Sequence, residues 1–307
     1  MAVPSGTLTG TSAISNLVQT AYDQYVRMAL RSIPVMRALA DVKPVQQAMP
    51  GSSVVFSIYS DLAQATSTLT ETTDVSSIAL GNPNQVTVTL QEYGNAVTTT
   101  KKLNLTSFND VDAALADIIA YNAADSIDAV VAGVLTSGTN IIYGGTATNN
   151  AGITAGSTIS VSDIRAAVTN LRSNKALPRI GELYAAYLHP KQTADLRAET
   201  GTGGFQDLSK YVDRTPFVAG AVGVLEGAFI VETPRVPYAS NGTTNVYSAI
   251  IAGREALAEA QGQDISTVIG PQIDALRRYH TIGWYYFGGW NILRTAALYN
   301  IQTATAY

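Results

Sequence analysis

Apolar and polar positions alternate differently along this chain, and the changes of period mark its elements. In residues 13–31, Ile14, Leu17, Val18, Ala21, Tyr22, Tyr25 and Val26 recur at spacings of three and four. That spacing puts them on one stripe of an amphipathic helix. Thr11 and Ser12 are candidate N-caps, and Pro34 closes the pattern. The stripe precedes the main body of the chain, so it must dock on its own domain or on a neighbour. A second short apolar stretch, Val35 to Leu39, leads into Pro44 and the turn signal Pro50-Gly51.

A period of two follows. Val54, Phe56 and Ile58 alternate with Val55, Ser57 and Tyr59. Val86, Val88 and Leu90 alternate with Gln85, Thr87 and Thr89, and the pattern continues through Tyr93 to Thr100. Between these runs, Ser60 to Pro83 is rich in Ser and Thr, with acidic Asp61, Glu71 and Asp74 and scattered Leu62, Leu69, Val75, Ile78 and Leu80. Compact domains rarely carry a structureless loop of that length. The pattern therefore predicts a long hairpin projecting from the body, its strands continuing part-way into the Ser/Thr segment. A two-stranded hairpin has no core of its own, so these aliphatics need a partner surface.

The strongest helical period runs from Ser107 to Leu135, through Val111, Leu115, Ile118, Ile119, Ile127, Val130, Val131, Val134 and Leu135, and ends at Ser137-Gly138. At about 1.5 Å per residue it would span about 43 Å, longer than a small domain is wide. Its polar positions are Asp110, Asp112, Asp117, Asp125 and Asp128, with no cation, which reads as a spine along one edge of the molecule. Asp110 and Asp112 flank Val111 and point apart; favourable charge at the helix N-terminus accounts for them.

Residues 139–160 carry brief strand signals at Ile141-Ile142-Tyr143 and Thr158-Ile159-Ser160. A capped helix opens at Ser162-Asp163 and runs to about Asn174, with Arg165, Arg172 and Lys175 outside. The rest reads as α/β: a strand at Leu183–Leu188, a helix from Pro190 to Glu199, strands at Ala228–Glu232 and Val246–Ile251, and an aromatic strand region from Tyr279 to Ala297. No internal repeat is present.

Composition sharpens this picture. Hydrophobic residues make up 46% of the 307 positions, which excludes disorder throughout, but charged residues only 14%, against about 25% in ordinary soluble domains. Surface that Lys and Glu would normally keep wet is covered by Ser, Thr, Asn and Gln, or by another protein. Residues 1–43 hold four basic and two acidic side chains, residues 44–164 two and ten, and residues 165–307 thirteen and eleven. The acidic middle third is either a solvated face or a surface for a basic partner face. Net charge is −4, so bulk electrostatics repel nucleic acid. No run of about 18 apolar residues suggests a membrane span, and the N-terminus lacks a signal-peptide layout.

No catalytic motif emerges. There is no cysteine and there are two histidines, His189 and His280, which excludes a disulfide framework and a histidine-rich metal centre. No cofactor is expected. Gly201-Thr202-Gly203-Gly204 lacks the Lys-Ser/Thr of a phosphate loop, Gly220, Gly223 and Gly227 are wrongly spaced for a dinucleotide fingerprint, and no nucleophile elbow occurs. His189 and His280 read as structural or surface histidines; a ligand in a pocket around His189, Asp195 or Glu199 would be needed to revive an enzyme. Sixteen tyrosines against six phenylalanines favour half-buried strands or protein interfaces. Low charge, a projecting hairpin, an arm and segregated charge together point to a self-assembling structural protein.

That order of parts resembles the major capsid protein of tailed bacteriophages, the HK97-like fold shared with herpesvirus floor domains. Three stretches carry the resemblance: Gln91-Glu92-Tyr93-Gly94-Asn95-Ala96 ahead of the spine helix, Ile250-Ile251-Ala252-Gly253-Arg254-Glu255-Ala256, and Ile282-Gly283-Trp284 with Phe287-Gly288. It implies an α+β chain divided into an N-terminal arm (1–50), an E-loop hairpin (51–100), a P-domain with the spine helix (101–180), an A-domain (181–270) and a C-terminal return segment (271–307). It also implies hexamers and pentamers closing an icosahedral shell around double-stranded DNA, in the virion, after assembly in the host cytoplasm. The resemblance further implies partners: other copies of the chain, a separate scaffolding protein and portal, with a decoration or cement protein as an addition, and no membrane.

The resemblance and the segregated charge together nominate interface residues: Leu17, Tyr22, Tyr25, Arg27 and Arg31 in the arm, Asp61, Leu69, Glu71, Asp74 and Ile78 in the E-loop, Asp110, Asp112 and Asp117 on the spine, and Arg165, Arg172, Lys175 and Arg179 as cations facing a neighbour's acids. The family prototype joins an E-loop lysine to a neighbour's asparagine; no lysine lies between Pro44 and Thr100, so non-covalent contacts are expected instead. With no long charged helical extension before the arm, a separate scaffolding protein is expected and N-terminal cleavage is not. An encapsulin-type nanocompartment shell and a phage tail or adhesin protein are the alternatives.

Overall fold

The structure, a computed structural model, describes residues 31–44, 52–59, 61–72, 74–75, 77–106, 111–200, 205, 223–271, 276 and 278–307. The amphipathic stretch 13–30, with Leu17, Tyr22, Tyr25 and Arg27, lies outside them. In chain order the elements are β1 (Ala40–Pro44), β2 (Ser53–Ile58), β3 (Asn84–Thr89), β4 (Gln91–Thr100), α1 (Lys101–Thr106), α2 (Val111–Thr136), β5 (Ile141–Tyr143), α3 (Val161–Ser173), β6 (Tyr184–Leu188) and α4 (Pro190–Ala198). They continue with β7 (Val224–Leu225), β8 (Ala228–Glu232), β9 (Tyr238–Ser240), β10 (Asn245–Ala252), β11 (Leu257–Ile269), β12 (Tyr279–Ile292) and β13 (Leu298–Thr303).

Leu115, Ile119, Ala123, Ile127, Val131 and Leu135 recur every four residues and are all buried, so α2 presents one apolar stripe. At 26 residues it is about 39 Å long. The stripe lies on a sheet of order β1-β11-β12-β4, in which β1 runs parallel to β11 and the other pairs are antiparallel. Alternation along β12 sends Trp284, Tyr286 and Trp290 into the same core. The Trp284 indole N–H donates to Asn122 Oδ1 of α2 (2.9 Å), and the Tyr286 and Trp290 rings stack at 5.2 Å. By length and composition alone, Leu115–Thr136 could cross a bilayer; in the fold its stripe is covered by the sheet instead.

A second, seven-stranded sheet has the order β5-β13-β10-β6-β8-β7, with β9 also paired to β10. The central strands β6 and β10 are almost wholly buried, as an apolar run without alternation requires. Helix α3 covers it with Ile164, Ala167, Val168 and Leu171, and α4 adds Leu196. α3 begins where expected: Asp163 accepts from the Ser160 backbone N–H (2.9 Å) and hydroxyl (2.8 Å). The strand anticipated at Thr158–Ser160 does not form, because Ser160 serves as that N-cap and Ile159 is buried under the sheet.

The third sheet is the hairpin β2-β3, paired from Ser53↔Thr89 to Ile58↔Asn84. Its ladder stops there. The expectation that the strands continue into the Ser/Thr segment is corrected: among the described residues of 59–83 there is no strand, since scattered aliphatics at irregular spacing give neither strand a continuous face. The hairpin base does have a core, a second departure. Val54, Phe56, Val88 and Leu90 pack on Ala258, Ala260, Phe287 and Leu293 of the body. The side chain of Asn291 donates to the Thr87 carbonyl (2.9 Å), and β3 passes so close over Gly289 that any side chain there would strike the Thr89 carbonyl.

Candidate assembly surface

Among the described residues no side-chain constellation resembles an active site, and no cluster of His, Asp and Glu could hold a metal. His189 caps α4: its Nδ1 accepts from the Lys191 N–H (3.1 Å) and its ring lies 4.6 Å from that of Tyr247. Burial, reinforced by the Lys191 charge, holds its imidazole below the usual histidine range against the pull of Glu232. Both oxygens of Asp195 accept the Ala306 N–H (3.2 Å), and Glu199 accepts the Val161 N–H (2.9 Å). These groups satisfy backbone donors at chain ends and turns.

The conspicuous polar structure is instead a clamp around residues 31–41. Asp128 of α2 is buried (1% exposed) and accepts from the backbone N–H groups of Met36 (2.6 Å) and Arg37 (3.3 Å) and from Arg235 Nε (2.5 Å). Arg235 also pairs with Asp125 and donates to Ser32 Oγ. Arg37 reaches the fully buried Glu259 of β11 with Nε (3.1 Å) and Nη2 (2.7 Å), and the Tyr286 hydroxyl donates to the same carboxylate (2.8 Å). Burial first, then the Glu259 charge, pushes the Tyr286 phenol far above its ordinary range. Sequence reading missed this clamp. Arg37 sat in an apolar stretch and Glu259 in an Ala-rich strand that was not foreseen; the one available signal was a lone charge among apolar neighbours, which must be paired if buried. Asp128, expected among the acidic positions of a face turned to solvent or to a basic partner, is instead buried, while Asp125 beside it stays partly exposed.

Several residues expected to face a neighbour find partners in their own chain. Arg31 pairs with Asp117 (2.9 Å) and lies 4.8 Å over the Tyr121 ring. Arg165 pairs with Glu226 (2.9 Å), and Arg179 with Asp41 (3.4 Å) while also donating to the Ala38 and Ala40 carbonyls. Arg172 is exposed, its guanidinium lying against Gly227, and exposed Lys175 turns the chain out of α3 at φ 56°. Asp110 and the side chain of Asp112 lie outside the described residues. Asp61, Leu69, Glu71, Asp74 and Ile78 are all exposed in the ribbon between β2 and β3. Leu69 and Ile78 are 78% and 72% exposed, an apolar load that a monomer's surface does not usually carry in one segment.

Among the described residues, the buried charges fix the backbone and the ribbon between β2 and β3 leaves its aliphatics exposed, features of a structural protein that binds other copies through its surface. The chain belongs to the phage capsid protein family, whose model matches residues 11–295. Its fold is that of HK97-like phage capsids. The capsid of cyanophage P-SCSP1u superposes with a TM-score of 0.73 at 16% identity, covering 95% of this chain and 94% of that one. The capsid of Ralstonia phage GP4 gives 0.72 at 15% identity over 98% of each chain. The capsid of a native GTA particle gives 0.69 at 17% identity, covering 97% and 100%. No curated protein sequence matches the chain. The protein is a capsid component of a phage virion.

Proposed function

We propose that this chain is a major capsid protein whose copies form hexamers and pentamers of an icosahedral shell around double-stranded DNA. In this reading residues 1–50 are the N-terminal arm, 51–100 the E-loop, 101–180 the P-domain, 181–270 the A-domain and 271–307 the return segment. The observation that carries it is the ribbon at 59–83: its base is locked to the body, while Leu62, Leu69, Val75, Ile78 and Leu80 are each more than half exposed. Each contact in a closed shell can be modest, because closure engages many at once at high effective concentration. Contacts are non-covalent in this reading, since residues 44–100 contain no lysine for a cross-link. A net charge of −4 suits a wall that encloses DNA without gripping it. A separate scaffolding protein and a portal complete the assembly.

Electron microscopy of the purified protein, alone and with a scaffolding protein, tests this. Closed shells with six- and five-fold capsomers are expected; tubes, trimers or monomers under both conditions would overturn it.

A further inference from the structure

The edge of a sheet can add a strand from another molecule, because its outward N–H and C=O groups have no partner in the sheet. Most edges here are short or covered. β5 and β7 have three and two residues. β1 has five, ending in Pro44, and the Arg179 guanidinium caps the Ala38 and Ala40 carbonyls (2.9 and 3.2 Å) at its start. β4 is different. It is ten residues long, pairs with β12 alone, and keeps a one-to-one register from Gln91 to Thr100 without a bulge. It contains no Pro and no Lys, the residues that commonly blunt an edge.

The phase of the ladder identifies the open groups. Alternate residues of an antiparallel strand exchange both backbone bonds with the partner, and those between turn theirs away. The Lys101 N–H, next in register after Thr100, donates to the Arg278 carbonyl (2.7 Å). Odd-numbered positions therefore face β12, and Glu92, Gly94, Ala96, Thr98 and Thr100 present their N–H groups outward. Among the described residues one of these five finds an acceptor: the Ala96 N–H donates to the adjacent Asn95 Oδ1 (2.9 Å). Charge then selects the partner. Glu92, the single charge of β4, is exposed near its start, beside the Tyr285 phenol. Lys101 and Lys102 are exposed just past its end and form no ion pair among the described residues. Two copies of β4 running antiparallel set each Glu92 towards the other's lysines, whereas parallel pairing sets like charges together. Centring the pair on Val97, which is 41% exposed, joins the outward groups of Ala96 in each copy to those of Thr98 in the other and packs the two valines together. We propose that the β4 edges of two copies pair antiparallel about Val97, fusing their four-stranded sheets across a two-fold axis. This deepens the shell reading and rests on it for the place of the contact: a self-pairing patch is isologous and cannot close a ring of five or six, so it joins one capsomer to the next.

The chain has no cysteine, so Val97→Cys in the full chain introduces a single thiol. Directly opposed residues of a non-hydrogen-bonded pair lie about 4.5 Å apart at Cα, within disulfide reach. Mild oxidation of assembled Val97→Cys protein is expected to convert most of it to a linked dimer on a non-reducing gel. Val268→Cys, 48% exposed on the inner strand β11, should give little. Thr98→Pro removes an outward N–H and no bond to β12. It should raise the concentration needed for assembly, read by sedimentation and electron microscopy, roughly tenfold or more, because the contact recurs throughout a shell. Thr98→Ala, which loses the hydroxyl contact with Thr281 (3.1 Å) but keeps the N–H, should assemble like wild type. Circular dichroism and thermal unfolding check that each variant is folded; if Thr98→Pro is not, the Val97→Cys link alone decides. Closed shells with no link at Val97, equal linking at Val268, or normal assembly of folded Thr98→Pro overturns the contact and leaves the shell reading standing. A Val97 link in dimers that never close into shells supports the contact and removes the shell. Should the wild type not self-associate and Val97→Cys not link, both fall.

Discussion

At the scale of single residues, the fold depends on a few charges taken out of water. Glu259 is fully buried and answers both Arg37 and the Tyr286 hydroxyl. Removing one side of a buried pair leaves the other uncompensated. Glu259→Ala should therefore lower subunit stability by about 3 kcal/mol, and Tyr286→Phe, which loses one hydrogen bond, by about 1 kcal/mol, both read from urea unfolding of unassembled protein. His189 gives a pH dependence whose sign follows from its cap. Its neutral Nδ1 accepts a hydrogen bond, and burial with Lys191 disfavours the proton. The unfolded chain takes up that proton near the ordinary histidine pKa of about 6.5 while the folded chain resists it. Stability from this site is thus complete above that pH and declines as pH falls from there through the lower folded pKa. His189→Asn keeps a capping acceptor without a titrating ring, so its unfolding midpoint should be flatter than wild type as pH falls below about 6.5.

At the scale of elements, the hairpin is two objects. The ladder from Ser53↔Thr89 to Ile58↔Asn84 is anchored through Val54, Phe56, Val88 and Leu90; the ribbon beyond it buries nothing comparable. Replacing residues 59–83 with a two-residue turn should change the unfolding midpoint of the subunit little, because surface loops contribute mostly closure entropy, yet abolish shells in electron micrographs. A large drop in stability would show that the ribbon belongs to the subunit core. Period was a sound guide to several elements: α3, β6, β8 and β10 fall within a residue of their expected bounds, α2 ends one residue past its expected end, and β12 starts where expected but stops at Ile292, five residues early. It failed for β11, whose Ala258-Glu259-Ala260 stretch is buried on both alternating faces, so no alternation was visible. It failed for β1 too, five residues whose strand exists only through pairing to β11.

At the scale of the whole molecule, the absence of lysine from residues 44–100 makes a simple prediction about particles. Boiled in denaturant, purified shells should run as a single monomer band on a gel, with no ladder of linked chains. Covalent rings resistant to denaturant would contradict the non-covalent reading and require a different nucleophile. The long α2 has a related lesson. Its acidic positions look alike in sequence, yet Asp117 stands at the surface with Arg31 while Asp128 is sealed between Arg235 and the backbone of Met36 and Arg37.

The amino-acid order by itself determined the periods of helix and strand, the caps and turns that bound them, the lack of thiols and catalytic motifs, and the segregation of charge, because each depends on neighbours in the chain. Which charges are answered at home, and where the hairpin ends and the bare ribbon begins, were decided only by the tertiary structure. Those outcomes depend on residues as distant as Arg37 and Glu259, and no local pattern encodes a distance that folding alone closes.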